Sequence, residues 1–281
     1  MILDGKKVSQ ELKKDISEEI NGLKIQNIYP KLVVLLVGHS SESKVYIEMK
    51  RKMCESLGIN FQLIIMTDSS PENYIIRKIN ELNNDKIVNG ILVQLPLPEQ
   101  YDKQKILNSI SYEKDVDGFH TINAGKIFQN NDINIIPCTP QGCIYLIDYY
   151  KIDVHGLNIT IIGTSNLVGL PLSMLLLQRG GTVTLCNIHT KDLKLHTKNT
   201  DMLITCCGVP NLIKKDFIKE DTIIIDIGIN YIETSNSKKI VGDVDFEDVN
   251  EKSSMITPVP GGIGPMTVIS LMKNLVKLTK K

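Results

Sequence analysis

Residues 161–171 read IIGTSNLVGLP: an apolar strand ends in glycine, a polar turn follows, and a second glycine opens an apolar helix. Such a unit is typical of α/β sheets that bind nucleotides, because backbone N–H groups in the turn and at the helix N-terminus can meet a phosphate. The spacing Gly163-x5-Gly169 differs from the common G-x-G-x-x-G pattern, so a tight structural turn explains it equally well. Both interpretations stay open on this stretch alone.

Short, β-rich segments continue the pattern on both sides of this turn. Because they alternate with longer, helix-forming stretches, they predict a parallel sheet covered by helices. We place this Rossmann-like, dinucleotide-binding domain at residues 139–266, with its start near Thr139-Pro140, where a cap residue precedes a proline. Its predicted strands are NITIIG (158–163), TVTLC (182–186), DMLITC (201–206) and TIIIDIG (222–228).

The first part of the chain has the same rhythm. Asp4 is a candidate N-cap for an amphipathic helix in which apolar residues recur every four positions from Val8 to Ile20. We therefore predict a two-domain α/β protein, in which the first domain comprises residues 1–138 plus a returning C-terminal helix, 267–281. The strands predicted for this domain are LVVLLVG (32–38), NFQLIIM (60–66) and VNGILVQL (88–95).

Composition excludes several classes of protein. The 32 basic and 32 acidic residues balance, so no overall charge favours nucleic acid or an anionic membrane as a partner. No apolar run is long enough to span a bilayer and the first residues lack a signal-peptide core, so we expect a cytoplasmic protein. The five histidines share no spacing and no H-E-x-x-H or G-x-S-x-G motif occurs, so we expect no metal and no serine hydrolase.

One predicted helix combines an aromatic ring and an amine on an apolar face. Tyr46, Lys50, Met53 and Leu57 recur at helical spacing. Lysine is costly to bury, and an amine that loses hydration becomes suited to acid–base chemistry. A lysine that extends its amine into solvent, beside a tyrosine that only packs, is the alternative interpretation.

Three loops carry further candidate residues. QLPLP (94–98) leaves a strand at its carboxyl end, where ligands of open α/β sheets bind, although a turn that ends the strand also explains the prolines. KDVDGFH (114–120) suits either a ligand-binding aspartate or a plain turn. PVPGGIGPMT (258–267) is typical of backbone that a ligand approaches closely, or of a rigid joint.

Taken together, these segments resemble the bifunctional methylenetetrahydrofolate dehydrogenase/methenyltetrahydrofolate cyclohydrolase (FolD) family over nearly the whole chain. The resemblance is specific because the motifs occur together and in the family's order. They are VGHSSESKVYIEMK (37–50), VQLPLP (93–98), KDVDGFH, IPCTPQG (136–142), GTSNLVGLP (163–171), DIGIN (226–230), VGDVDF (241–246) and TPVPGGIGPMT (257–267).

The resemblance implies a role for each matching residue. Tyr46 would be the aromatic platform beside the folate and Lys50 the catalytic amine. Gln94 would be the hydrogen-bonding partner of that amine, and Asp117 the carboxylate that binds the pterin. Cofactor contacts are implied at Gly163, Thr164, Ser165, Ile188 and Ile229. Further folate contacts are implied at Val93, Leu95, Pro260, Gly261, Gly262, Pro265 and Thr267.

Two departures from the family pattern bear on the cofactor. Many relatives have arginine after the first glycine and His-Ser after the second strand, where this chain has Thr164 and Asn187-Ile188. Both changes remove groups that could hold a 2′-phosphate, yet residues 186–191 also lack the acid that binds a free ribose hydroxyl. We expect NADP, with NAD as the alternative. Tetrahydrofolate derivatives are the expected substrates, and a homodimer is the expected assembly.

The implied chemistry is oxidation of 5,10-methylenetetrahydrofolate followed by hydrolysis of the methenyl product to 10-formyltetrahydrofolate. A dehydrogenase-only relative that uses NAD is the nearest alternative. A non-catalytic folate- or nucleotide-binding module, or a dehydrogenase of another small substrate, are more distant ones. Retention of Lys50, Gln94 and Asp117 favours the bifunctional enzyme.

Overall fold

The structure is a computed structural model, and it describes residues 1–38, 41–131, 135–234 and 237–280. The chain forms two compact units. The three-stranded unit comprises Glu11–Cys138 and Val268–Lys281, and the five-stranded unit comprises Met1–Gln10 and Thr139–Thr267. His39 and Ser40 of the VGHSS segment lie outside the described residues.

In the three-stranded unit, helices alternate with strands and every strand pair is parallel, in the order β2-β1-β3. The central strand is buried from Leu32 to Val37 because it has a neighbouring strand on each side and an apolar core against it. The elements are α1 (Gly5–Ile25), β1 (Lys31–Val37), α2 (Ser41–Leu57), β2 (Asn60–Met66), α3 (Glu72–Asn84), β3 (Gly90–Val93), α4 (Lys103–Ser109) and α5 (Thr121–Gln129).

The five-stranded unit contains a parallel sheet in the order β10-β7-β6-β4-β5 and a separate antiparallel hairpin, β8-β9. Strands are added on both sides of β4, so the order reverses there, as in Rossmann-like sheets. The elements are α6 (Cys138–Tyr149), β4 (Asn158–Ile162), α7 (Gly169–Gln178), β5 (Thr182–Cys186), α8 (Leu193–Thr197), β6 (Met202–Thr205), β7 (Thr222–Asp226), β8 (Asn230–Thr234), β9 (Ser237–Val241), α9 (Phe246–Val249) and β10 (Ser253–Ile256). The last helix, α10 (Ile263–Thr279), begins in this unit, and its residues from Val268 onward belong to the three-stranded unit.

The predicted α/β architecture is confirmed, including the C-terminal helix that returns to the first part of the chain. The structure differs from the prediction at residues 1–10, which the sequence assigned to the first domain. These residues extend the five-stranded sheet, because Leu3 N–H donates to the Ile256 carbonyl (2.8 Å) and Ile256 N–H donates to the Met1 carbonyl (3.0 Å). The Tyr150 hydroxyl also accepts a hydrogen bond from the Asp4 N–H (2.8 Å).

Asn274 on α10 links the returning helix to two loops of the three-stranded unit. Its side chain is fully buried, and its amide nitrogen donates to the carbonyls of Val116 (2.9 Å) and Ile136 (2.8 Å). A buried carbonyl without a donor is costly, so these two bonds stabilise both loops. One of the loops contains Asp117.

We expect the Asn274→Leu substitution to destabilise the protein by roughly 1–3 kcal/mol, because it leaves the Ile136 carbonyl without a donor and the Val116 carbonyl with only the weak thiol donor of Cys138. Ser270→Ala is the matched control, one turn earlier on the same helix. The Ser270 hydroxyl is buried and has no hydrogen-bond partner among the described residues, so its removal should change stability little. Urea denaturation of both variants measures the difference, and equal midpoints would contradict the role of Asn274.

Candidate active site

Lys50 lies in the buried stripe of α2, with only 8% of its surface exposed. The stripe runs through Ile47, Lys50, Cys54 and Leu57. Tyr46, which the sequence placed on the same face, is half-buried beside this stripe, one turn before Lys50. The lysine therefore belongs to the interior of the unit, which argues against the interpretation in which its amine simply extends into solvent.

Gln94 holds the Lys50 amine. It follows β3 directly, and its N–H donates to the Leu35 carbonyl (2.8 Å), which fixes the backbone at the end of the sheet. Lys50 Nζ donates to Gln94 Oε1 (3.0 Å), and Gln94 Nε2 donates to the Leu95 carbonyl (2.7 Å). Because only the NH2 side of the amide can donate to that carbonyl, the oxygen is left to face the lysine.

Asp117 lies in a turn that the carboxylate of Asp115 holds in place. The fully buried Asp115 accepts hydrogen bonds from the N–H groups of Gly118 (3.0 Å) and His120 (2.8 Å), which fixes the residues that follow Asp117. Burial raises the pKa of Asp117, and the nearby Lys50 ammonium opposes that rise. Asp117 is thus electrostatically coupled to the lysine that Gln94 holds.

Cys138 is a neighbour of this group that the sequence analysis did not single out. Its thiol donates to the Val116 carbonyl (3.4 Å), and burial together with the Asp117 charge raises the thiol pKa well above its ordinary value. The residue is therefore a neutral thiol that packs against the carboxylate. Its place within the IPCTPQG motif was the available signal.

The glycine turn after β4 is as tight as the sequence suggested. Gly163 has a positive φ of 116°, and a Cβ at Gly169 would overlap the Gly163 carbonyl oxygen. The backbone N–H groups of residues 164–167 make no hydrogen bond to any described residue, and they stand just before the ten-residue helix α7. Free N–H groups at a helix N-terminus favour an anion such as a phosphate. Thr164 is half-buried and Ser165 exposed.

The remaining predicted cofactor residues lie at the carboxyl ends of strands in the same sheet. Ile188 follows β5 and is 94% exposed, and Ile229 follows β7 and is 38% exposed. The structure therefore gathers all five predicted cofactor residues along the edge of the five-stranded sheet where α/β proteins bind ligands.

The predicted folate-binding residues are divided between the two units. Val93 is buried in β3, and Leu95 is half-buried at a cis peptide bond to Pro96. The others belong to the five-stranded unit, in the loop before α10 and its first turn. There the Thr267 hydroxyl contacts that of Thr139 (3.1 Å). In that segment, Pro260 is exposed, Gly261 and Gly262 are buried, and Pro265 and Thr267 are half-buried.

Asp226 and Asp243 are buried carboxylates that the sequence analysis used only as parts of motifs. Burial raises the pKa of Asp226 to about 6, although N–H donors from Val244 and Asp243 oppose the rise.

Within the described ranges, no group of three or more His, Cys, Asp or Glu side chains could hold a metal ion. No described helix is long and apolar enough to cross a membrane.

Two family sequence models match the chain. The tetrahydrofolate dehydrogenase/cyclohydrolase catalytic domain matches residues 3–117, and the NAD(P)-binding domain of the same family matches residues 137–281. The chain belongs to the tetrahydrofolate dehydrogenase/cyclohydrolase family. This match confirms the family and the NAD(P)-binding domain that the sequence predicted. It also confirms the expected enzyme class, a methylenetetrahydrofolate dehydrogenase and methenyltetrahydrofolate cyclohydrolase.

Relatives resemble the chain from end to end. The bifunctional protein FolD of Nitratiruptor is 48% identical over 281 residues, which cover 100% of this chain and 98% of the relative. The crystal structure of FolD from Campylobacter jejuni has 46% sequence identity to this chain and a TM-score of 0.96. The match covers 100% of this chain and 98% of that one. The FolD structure from Trypanosoma brucei, a complex with NADP and an inhibitor, is 28% identical with a TM-score of 0.96, over 97% of that chain and 100% of this one.

We expect Gly169→Ala to weaken NADPH binding by at least about tenfold, because the added methyl group forces the start of α7 away from the turn. Gly22→Ala in α1 is the control, since a Cβ there meets no atom within 4 Å. Fluorescence titration with NADPH measures both variants. Wild-type affinity in the Gly169 variant would contradict the importance of this close approach.

Proposed function

We propose that this chain oxidises 5,10-methylenetetrahydrofolate to 5,10-methenyltetrahydrofolate with NADP and hydrolyses the product to 10-formyltetrahydrofolate. The observation that carries the proposal is the buried Lys50 amine, bonded to Gln94 and coupled to Asp117. Membership of the dehydrogenase/cyclohydrolase family supplies the substrate class. The same three residues favour this function over the dehydrogenase-only alternative, because hydride transfer alone has no need of a positioned amine.

Lys50 is the proposed proton-transfer residue of the hydrolytic reaction. After water adds to the methenyl carbon, a proton must leave the new hydroxyl group, and another must reach the nitrogen that departs as the ring opens. An amine within reach of both atoms can carry out these transfers. Gln94 Oε1 accepts from the amine and so restricts its orientation, while the Leu95 carbonyl prevents the amide from turning over.

Asp117 and Tyr46 are the proposed folate-binding residues beside Lys50. The amino-pyrimidine edge of a pterin offers paired N–H donors, which a carboxylate can accept with both oxygens. Tyr46 lies one helical turn before Lys50, so the two residues share one side of α2. Val93, Leu95 and the segment from Pro260 to Thr267 are the further contacts proposed for the folate.

The five-stranded unit carries the proposed NADP site. The free N–H groups of residues 164–167 and the N-terminus of α7 fit the phosphates of a dinucleotide, and Ser165 adds an exposed hydroxyl group. Gly163, Thr164, Ile188 and Ile229 complete the proposed contacts. Bound NADP supplies a nicotinamide that accepts a hydride from the substrate, and the protein contributes orientation. The hydrolytic reaction requires no dinucleotide.

The resemblance to FolD enzymes also implies a homodimer and a cytoplasmic location, and both stay predictions for this chain. Light scattering on the purified protein would measure the assembly.

We expect NADP to be preferred over NAD by a smaller margin than in relatives that carry arginine and serine at the corresponding positions. Thr164 and Ile188 offer no charge to a 2′-phosphate, and the side-chain oxygen of Asn187 already accepts from the His189 N–H (2.9 Å). A lost charge-assisted hydrogen bond costs roughly 1.5–3 kcal/mol, or about ten- to a hundredfold in affinity.

Steady-state measurement of kcat/KM with each dinucleotide tests this prediction. The Thr164→Arg variant is the informative comparison, because it restores a cation at the turn and should widen the preference for NADP. A higher kcat/KM with NAD than with NADP in the unaltered protein would show that the proposed cofactor is wrong.

We expect Lys50→Met to lower cyclohydrolase activity by at least about a hundredfold, the loss typical of removing a general acid or base. The side chains are similar in length, so packing is largely kept. Dehydrogenase activity should fall less, because hydride transfer requires no proton from the protein. Methenyl-folate decay and NADPH formation are measured on the same preparation, after circular dichroism verifies folding.

Asp117→Asn is the contrasting variant. It replaces an acceptor for the pterin with an amide, so it should raise KM and slow both reactions together. Retained cyclohydrolase turnover in Lys50→Met would remove Lys50 from the mechanism, and an Asp117→Asn enzyme with unchanged kinetics would remove Asp117 from the folate site.

A further inference from the structure

Asp243, between β9 and α9, is completely buried and is surrounded by hydrogen-bond donors. One carboxylate oxygen accepts from the N–H groups of Cys207 (2.8 Å) and Gly208 (3.2 Å). The other accepts from the N–H of Val209 (3.0 Å) and from the side-chain amide of Asn230 (2.9 Å). One side chain thus joins the segment that follows β6 to the residue that begins β8.

Asp226 at the end of β7 holds the backbone around Asp243 in turn. Its carboxylate accepts from the N–H groups of Asp243 (3.1 Å), Val244 (2.9 Å) and Gly228 (2.9 Å). It also accepts from the Thr205 hydroxyl at the end of β6 (3.0 Å). The two aspartates therefore form one buried network across the carboxyl ends of adjacent strands.

The network holds the residues on both sides of Ile229. Ile229 lies between Gly228, which Asp226 binds, and Asn230, which Asp243 binds. We infer that Asp243, supported by Asp226, is a positioning residue of the NADP site, which holds Ile229 and the backbone of residues 207–209 in place for the dinucleotide. This inference rests on the cofactor site proposed above, and it assigns Asp243 no direct contact with NADP.

The charge of Asp243 makes the inference testable by the sign of an effect. Removal of a negative charge near an anionic ligand should strengthen binding if electrostatics alone matters. Loss of positioning should weaken it. In Asp243→Asn either orientation of the amide sets its NH2 group against two donors, since each carboxylate oxygen accepts from two nitrogen atoms.

The experiment uses the full chain and compares Asp243→Asn with Asp245→Asn. Asp245 is the matched control, because it lies two residues away and its carboxylate makes no hydrogen bond to a described residue. We expect the dissociation constant for NADPH, measured by fluorescence titration, to rise at least about tenfold in Asp243→Asn and to stay unchanged in Asp245→Asn. Cyclohydrolase activity without dinucleotide should be retained in both, since Lys50, Gln94 and Asp117 belong to the other unit and neither variant changes a residue proposed to contact the folate.

NADPH binding by Asp243→Asn that equals or exceeds that of the unaltered protein would overturn the inference. Failure of the unaltered protein to bind NADPH would instead contradict the proposed cofactor site itself. Loss of cyclohydrolase activity in step with NADPH binding would indicate general unfolding and would overturn a specific positioning role.

Asn230→Ala provides a milder variant in case Asp243→Asn does not fold. It removes the bond next to Ile229 and keeps the three backbone N–H bonds of residues 207–209. We expect a smaller rise in the NADPH dissociation constant than in Asp243→Asn. The effect of Ile229→Ala should also be smaller in the Asn230→Ala background than alone, because both act on the same contact. Strictly additive effects would overturn the claim that the network acts through Ile229.

Discussion

A charged group removed from water must find its hydrogen-bond partners inside the protein, and much of this structure follows from that constraint. At the carboxyl end of a parallel strand the ladder stops, and the backbone N–H groups beyond it need acceptors. Asp115 supplies one to the turn that contains Asp117, and Asp243 supplies one to the segment after β6. In each unit, a buried carboxylate thereby fixes a loop at the end of a sheet, where ligands of α/β proteins bind.

Lys50 meets the same constraint with the opposite charge. Its amine donates to one amide oxygen and lies near one carboxylate, so some of its hydrogen-bonding capacity is left for a substrate. Several carboxylate partners would favour the charged form of a lysine and so oppose the release of its proton. The neighbouring Cys138 thiol stays neutral, and it therefore adds no second anion beside Asp117.

The sequence predicted strands β1 to β7, because each is a short apolar run next to a glycine or a polar turn, and these local signals need no knowledge of the rest of the chain. It did not predict β8, β9 and β10. It assigned residues 1–10 to the other domain, because their pairing with Ile256 depends on a segment far away in the chain. The buried face of α2 also differs from the predicted one, for a similar reason. Cys54 and not Met53 faces inward, where its sulfur contacts that of Met272 (3.7 Å), and helical spacing alone allows either residue.

The sequence indicated the main residues of the site but not the contacts that hold them. Motif order indicated Lys50 and Gln94, and the structure adds the Leu95 carbonyl that orients the amide. Nothing in the spacing of DIGIN and VGDVDF indicated that Asp243 would bind the backbone of residues 207–209, because the donors are N–H groups that every residue possesses. Backbone donors leave no trace in a sequence. Their acceptors are visible only once the chain is folded.

Helices α1 and α10 each begin in the five-stranded unit and continue into the three-stranded one, so neither unit is a continuous piece of the chain. A genetic exchange with a single crossover near residue 138 would therefore transfer neither unit whole. The incoming half would bring a foreign α10 to the Val116 and Ile136 carbonyls that Asn274 now satisfies. A crossover at this junction therefore changes packing inside both units at once, although it cuts neither sheet.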